Sequence, residues 1–301
     1  MKMKIVCVGH AAYDITLPLE HFVVENTKNR VDSRIECGGG PASNAAYLLG
    51  KWGLEPYFLG VVGNDEYGQK IKEELEEVGV HTDYLEMNAS YRTTSSFILA
   101  NKSNGSRTIL TYRPSEMKMS SITLPFSPDI ILMDGQEVEM SQELLKQYPK
   151  AISIIDAGRP TEEIIALAKQ VSYVVCSKEF AETVTKRKFN KANLNSYFEV
   201  YQGMKQLFPG TIVITLESEG CLYESQGKVK VMPSISVTAI DSTGAGDIFH
   251  GAFTYGIAEK LKLEDVLKLS NVTAGLSVTR IGGRNSIFDL KELKELYHEF
   301  I

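Results

Sequence analysis

The chain is poor in the features that mark secreted, membrane or nucleic-acid-binding proteins. Its four cysteines, Cys7, Cys37, Cys176 and Cys221, are scattered, with no C-x-x-C pair and none of the spacings that build a zinc site. A reduced, cytoplasmic setting suits them best, and Cys7 and Cys176 fall in apolar runs where a thiol acts as a small hydrophobe. Lys and Arg number 32 against 38 Asp and Glu, for a net charge of -6, so the charge balance offers nothing to a polyanion and no nucleic acid is expected as partner. The one basic run, Lys186-Arg187-Lys188, reads as a solvated helix end. The apolar run behind the first lysines is cut off by Gly9 and His10, too early for a signal peptide or a membrane span. Internal repeats, low-complexity tracts and Pro/Gly-rich linkers are missing, and so is the G-x-x-x-x-G-K-[ST] phosphate loop. Gly9-His10-Ala11-Ala12 is not G-x-G-x-x-G, which disfavours a nicotinamide dehydrogenase.

What is present, 43% hydrophobic and 23% charged residues, is the composition of a globular chain with room for a large core. Lys4 to Gly9 is short, β-branched and apolar on both faces, as a strand inside a parallel sheet must be. Similar runs recur at Tyr57–Val62, Ile130–Met133, Ile152–Ile155, Tyr173–Val175 and Thr211–Leu216. Helical patterns fall between most of them: from Pro41 to Gly53, Asp65–Val78, Ser141–Tyr148, Thr161–Lys169, Glu179–Lys186 and Tyr197–Leu207. Three more, Asp247–Leu261, Glu264–Arg280 and Leu290–Phe300, close the chain. Alternating strands and helices predict an α/β fold of three layers, a mostly parallel central sheet flanked by helices.

Two stretches break the rhythm. Val31 to Glu36 alternates uncharged Val31, Ser33 and Ile35 with charged Asp32, Arg34 and Glu36, and Thr93–Ala100 and Arg107–Tyr112 are joined through Asn104-Gly105, a strong hairpin signal. Such half-polar strands belong outside the buried sheet. The expectation is one domain over residues 1–301, with a small β-sheet lid formed by insertions at about 14–36 and 91–114.

The run with most chemical content is Asp241-Ser-Thr-Gly-Ala-Gly-Asp247, directly ahead of a helix. Gly244 and Gly246 let the backbone turn tightly and approach a ligand, and a helix N-terminus adds unpartnered N–H groups and a favourable dipole. That makes an anion hole. Asp247 beside it is placed to take a proton from a hydroxyl while the donors offset charge on a transferring phosphoryl group. The plainer alternative makes Asp241 a turn residue and Asp247 a helix N-terminal acid. A second glycine run, Gly38-Gly39-Gly40-Pro41-Ala42-Ser43-Asn44, also precedes a helix, and close backbone approach plus the Asn44 amide suits a polyhydroxylated ligand.

With GGGPASNAA near one end, DSTGAGDIFHGAF near the other and the order of segments between them, the chain resembles the ribokinase-like (PfkB) carbohydrate kinases over nearly its whole length. Smaller echoes are SNGSRTILTYR, ITLESEGCLY and SVTRIGGRNSI. The resemblance implies an ATP-dependent kinase acting on a primary hydroxyl of a small sugar, with Asp247 as general base and Gly244, Ala245 and Gly246 as the anion hole. It implies sugar-binding positions at Asp14, Gly39, Gly40 and Asn44, nucleotide contacts at Thr215 and Gly220, and an adenine border at Asn271. In several members the counterparts of Asp241 and Thr243 help bind a monovalent cation such as potassium, assisted by carbonyls near Arg280–Ser286. Magnesium is implied as the companion of ATP.

The family's N-x-x-E magnesium motif falls on Ser177-Lys178-Glu179-Phe180, where Ser stands for Asn and Phe for Glu; Glu179 and Glu182 are the nearest substitutes. Glu217 stands where many relatives have glycine. Arg92, Arg107, Arg113, Arg30, Arg34 and Arg159 could grip an anionic group on the substrate if two or more converge, and otherwise serve as edge-strand charges. The lid hairpin looks most like ketohexokinase, which favours a ketose or ketose derivative. A nucleoside acceptor, or a sensor that binds without turnover, are the alternatives. A homodimer through the lid is the expected assembly. His10 reads as hydrogen-bonded structure, and His250 as packing under the glycine loop.

Overall fold

In the computed structural model, which describes residues 2–296, the first strand shows how the sheet is built. β1 (Ile5–Val8) is buried along its whole length, and its alternate side chains feed two different cores: Val6 and Val8 enter one, Ile5 and Cys7 the other. A strand apolar on both faces needs cover on both.

The elements follow in the order β2 (Ala12–Leu19), β3 (Ile35–Gly39), α1 (Pro41–Lys51), β4 (Tyr57–Gly63), α2 (Glu66–Glu77), β5 (Leu85–Asn88), β6 (Ser95–Asn101), β7 (Ser106–Tyr112) and β8 (Ile130–Met133). The second half runs α3 (Val138–Gln147), β9 (Ile152–Ala157), α4 (Glu162–Ala168), β10 (Tyr173–Ser177), α5 (Lys178–Thr185), α6 (Asn195–Leu207), β11 (Thr211–Thr215), β12 (Cys221–Ser225) and β13 (Lys228–Met232), then α7 (Ala245–Ala258), α8 (Leu263–Ser277) and α9 (Leu290–Leu296). Nine strands form the large sheet in the order β13-β12-β11-β10-β9-β8-β1-β4-β5, parallel from β11 to β5, with β12 and β13 added antiparallel at one edge. One core lies against α3 to α6, the other against α1, α2, α7 and α8.

A separate four-stranded sheet, β3-β2-β6-β7, stands beside the large one. Its strand β3 starts at Ile35, so the stretch Val31–Arg34 lies outside the ladder; the alternation of residues 31–36 reflects mostly exposed charges, while pairing is set by Ala12 opposite Gly39 and Asp14 opposite Cys37. β2, β5, β12 and β13 were not legible as strands. The Asn-Gly hairpin forms as expected between β6 and β7, though with a four-residue loop in which Gly105 takes φ +69° and donates to the Asn101 carbonyl at 2.9 Å. The helices stand where their periodicity places them, with ends shifted by up to three residues. Asp65, Thr161 and Ser177 each cap the helix they precede with a side-chain oxygen. The last expected helix begins at Leu290 as foreseen, and its stretch beyond residue 296 lies outside the described residues. No helix among the described residues is long and apolar enough to cross a membrane.

Candidate active site

The parallel strands deliver their C-terminal ends to one edge of the large sheet, and in an open α/β sheet that edge is where ligands bind. α7 points its N-terminus there. Its N-cap is Gly244 in the left-handed region, φ +74°, with no side-chain cap, so the first-turn amides of Ala245, Gly246 and Asp247 have no acceptor within the helix. A Cβ on Gly246 would meet nothing within 4 Å, so that residue faces open space rather than packed protein.

Asp247 is the first acid of α7, and its Oδ2 accepts a 2.7 Å hydrogen bond from Asn44 Nδ2 in the first turn of α1. Burial, followed by the charge of Asp156, raises the Asp247 pKa to about 6; the Asn44 bond, His250 and Arg107 pull the other way. Asp14, in the middle of β2, is 7% exposed and is likewise raised to about 6, by burial and then by the Asp247 charge. Gly39, across the ladder, leaves the room this carboxylate needs, since a Cβ there would lie 2.1 Å from Asp14 Oδ2. Gly40 takes φ +95° and brings the start of α1 against the His10 carbonyl. Asp14, Gly39, Gly40, Asn44, Gly244, Ala245, Gly246 and Asp247 thus come together from both ends of the chain.

A cavity of about 730 Å³ adjoins the α7 N-terminus. Thr215, Gly220 and Asn271 line it together with Ala245, Gly246 and the hairpin tip at Gly105 and Arg107. Gly220, at φ +101°, is required by close approach: a Cβ would stand 2.0 Å from the Met232 carbonyl oxygen. Asn271 is 5% exposed and donates to the carbonyls of Met232 at 3.0 Å and Pro233 at 3.3 Å, which ties α8 to the antiparallel edge. The hairpin reaches across the cavity mouth, where Arg107 donates to Ser242 Oγ and Ser242 Oγ donates to the Gly105 carbonyl at 3.2 Å.

Asp241 and Thr243 are buried within the loop ahead of α7. Asp241 Oδ1 accepts from Thr243 N at 2.9 Å and Thr243 Oγ1 at 2.6 Å, and Oδ2 accepts from Gly282 N at 2.9 Å. The last bond joins this loop to the segment that follows α8.

Glu179 is exposed in the first turn of α5. Glu182 is engaged elsewhere, with Lys188 Nζ at 2.7 Å and the Phe189 amide at 3.0 Å. The six arginines do not assemble into an anion clamp. Arg30 pairs with Asp32 and Arg34 with Glu36 near the smaller sheet, while Arg92 and Arg159 are exposed. Arg113 is matched by Glu137 at 3.2 Å and bonds His10 Nδ1. Burial and then the Arg113 charge push the His10 pKa down to about 3, so its neutral ring accepts that bond.

Several residues of the site escaped the sequence reading. Asp134 follows β8 and its Oδ2 accepts the amides of His10 at 2.8 Å and Ala42 at 3.1 Å, anchoring two ligand-facing loops. Asp156, near the end of β9, lies 3.2 Å from His250 Nδ1, and burial raises its pKa. The His250 ring also meets the Gly246 carbonyl at 2.6 Å and the Val175 carbonyl at 3.1 Å, so it packs under the glycine loop as expected. The available signal was one acid closing each apolar run, ILMD and SIID. Arg284, 2% exposed, had no such signal, because a fully buried arginine is rare.

Comparison with known proteins agrees with this geometry. A family model described as pfkB family carbohydrate kinase matches residues 2–289. The chain is 25% identical over 264 residues to the ribokinase of Bacillus subtilis (strain 168), covering 86% of this chain and 87% of that one. It is 22% identical over 286 residues to the nucleoside kinase of Methanocaldococcus jannaschii, covering 94% and 93%. The structure of Arabidopsis thaliana ribokinase complexed with ribose and ATP shares the fold, with a TM-score of 0.80 at 22% identity over 98% of this chain and 99% of that one.

Proposed function

The chain belongs to the pfkB family of carbohydrate kinases, phosphotransferases with an alcohol as acceptor, and on that premise we propose that it transfers the γ-phosphate of ATP to a primary hydroxyl of a small sugar, preferentially a ketose or ketose derivative. The observation that carries this reading is the Asp247 carboxylate, held by Asn44 between the anion-binding start of α7 and the carboxylate of Asp14. ATP occupies the cavity, with Thr215 and Gly220 beside its phosphates and ribose and Asn271 bordering its base. Asp247 takes the hydroxyl proton, the sugar oxygen bonds to the γ-phosphorus as the bond to the bridging oxygen breaks, and ADP leaves with that electron pair. The amides of Gly244, Ala245 and Gly246 offset the charge on the moving group. The smaller sheet serves as a lid that excludes water, since an exposed phosphoryl donor would be lost to hydrolysis.

No cluster of three His, Cys, Asp or Glu side chains able to hold a metal occurs among the described residues. Magnesium asks for less, because it binds mainly to phosphates and water with one or two carboxylates. Asp156 near the end of β9, and Glu179 in the first turn of α5 directly after the neighbouring strand β10, are the residues that would hold it through water, and the ion would supply charge neutralisation of the phosphates. Asp241, Thr243 and the segment at Arg280–Ser286, joined by the Gly282 amide, would bind potassium; kinase rates in potassium and in choline chloride test this.

The outer face of the smaller sheet leaves Phe97 and Leu110, cross-strand neighbours, 46% and 59% exposed. A second copy of the chain covers this face in our reading, and light scattering of wild-type protein and of Leu110→Glu tests it. The cytoplasm is the expected compartment.

A panel of aldoses, ketoses and nucleosides with MgATP and an ADP readout tests the function. A ketose turned over fastest supports the reading. A nucleoside turned over fastest selects the alternative to which the M. jannaschii relative points. Ligand-induced thermal stabilisation with no ADP formed against any member refutes transfer.

A further inference from the structure

Arg284 is among the largest fully buried side chains of the described residues, and its donors are taken up by two helices, α1 and α2. Nη1 donates to Glu74 Oε2 of α2 at 2.8 Å, Nη2 donates to Ser43 Oγ, and Nε donates to Asn44 Oδ1 at 3.3 Å. Glu74 Oε2 also accepts the Gly38 amide at 2.7 Å. Gly38 carries no side chain where one would intrude, since a Cβ would lie 2.0 Å from Arg284 Nη1. An arginine buried to this degree and matched donor by donor is costly to assemble, and a single missing partner would leave a charge stranded.

We infer that Arg284, held by Glu74, is a positioning residue that fixes the Asn44 side-chain amide so that it donates to Asp247. A guanidinium can only donate, so Asn44 must present its oxygen to Arg284 Nε. Its nitrogen then faces Asp247, where the 2.7 Å bond occupies Oδ2 and leaves Oδ1 for the acceptor hydroxyl. The ionised Asp247 carboxylate, which only accepts, selects the same orientation from the other side; without Arg284 the amide would be held at its nitrogen end alone and could swing away from the carboxylate. Arg284 does not line the cavity; its charge also acts on Asp14, and its hydrogen-bonded route to Asp247 is through Asn44.

This inference rests on the proposed role of Asp247, and its test separates the two. In Arg284→Lys one ammonium cannot serve Glu74, Ser43 and Asn44 together. We expect kcat with MgATP and the best acceptor of the panel to fall on the order of ten- to a hundredfold, as misplacement of a reacting group does, with KM for ATP within about twofold. In an Asn44→Ala background the same change should cost nothing further. The side-chain amide of Asn44, observed by NMR in protein labelled with ¹⁵N-asparagine, should lose its hydrogen-exchange protection in Arg284→Lys. Independent, multiplying losses in the double variant, or an unchanged kcat and amide signal in Arg284→Lys, overturn the inference. If Arg284→Lys does not fold, Glu74→Gln should show the same non-additivity with Asn44→Ala in milder form, and its absence there also overturns it. An Asp247→Asn enzyme that keeps its turnover would remove the base assignment, while the NMR comparison still reports on Arg284 and Asn44.

Discussion

Asn44 and Asp247 stand 203 residues apart in the chain and meet through a hydrogen bond of 2.7 Å. Each lies in the first turn of a helix capped by a glycine, α1 behind Gly38-Gly39-Gly40 and α7 behind Gly244, so the contact locks together the starts of two helices packed on the same face of the large sheet. The proposed chemistry depends on that meeting.

Replacing Asp247 by Asn keeps the shape and the hydrogen bond to Asn44 but removes the proton acceptor. We expect kcat to fall by about two to four powers of ten, the range for loss of a general base, with dissociation constants for ATP and sugar nearly unchanged. Steady-state kinetics and calorimetry measure both; a variant that retains most of its kcat disproves the role.

The pH profile follows from the same carboxylate. Asp247 titrates at about 6 because burial and then Asp156 disfavour its charge, and only the ionised form accepts a proton. Activity should therefore rise with pH through about 6 and level off above it. A kcat/KM profile flat from about pH 5 to 8 would contradict this assignment.

Stability runs in the opposite direction. Because the folded pKa of about 6 exceeds the ordinary 3.8, the folded state holds this proton more tightly than the unfolded one; the contribution is complete below 3.8 and is lost as pH rises through 6. Asp247→Asn lacks that loss. At pH 8 it should be more stable than the parent by up to about 3 kcal/mol, the gap narrowing below pH 6 and closing below about pH 4. Urea denaturation at several pH values measures it, and a gap that widens on acidification would show the sign to be wrong.

Gly40→Ala should destabilise strongly, because at φ +95° its Cβ would press 2.4 Å from the His10 carbonyl oxygen, a backbone atom that cannot swing aside. A loss of about 2 kcal/mol or more is expected. Gly53→Ala is the control: φ is +85° but nothing lies within 4 Å, so only the left-handed backbone cost of about 1 kcal/mol applies. Equal denaturation midpoints for the two variants would refute the steric account.

Arg107→Ala removes the bond that pins the hairpin tip to Ser242, together with a positive charge that acts on Asp247. The loss of one charge-assisted contact corresponds to a fall of about ten- to a hundredfold in kcat/KM for ATP. The pH midpoint of activity should also move upward, since Arg107 holds the Asp247 pKa down. Arg107→Lys should recover part of both effects; unaltered kinetics in the alanine variant would exclude a role for the hairpin in nucleotide binding.

Most strands of the large sheet, the helices, the two glycine turns and the acid beside the second turn could be read along the chain, because period and backbone freedom are local properties; the Ser177 cap, ahead of a helix expected only from Glu179, could not. A small sheet apart from the large one could be expected from residues 14–36 and 91–114. Only the tertiary structure could decide its order, β3-β2-β6-β7, and the register that sets Asp14 near Gly39, since half-polar strands do not announce their partners. It also brought Asp134, Asp156, Glu74 and Arg284 to the site. Each of these owes its surroundings to elements distant in sequence, and a side chain's burial and charge partners are set by what folds against it.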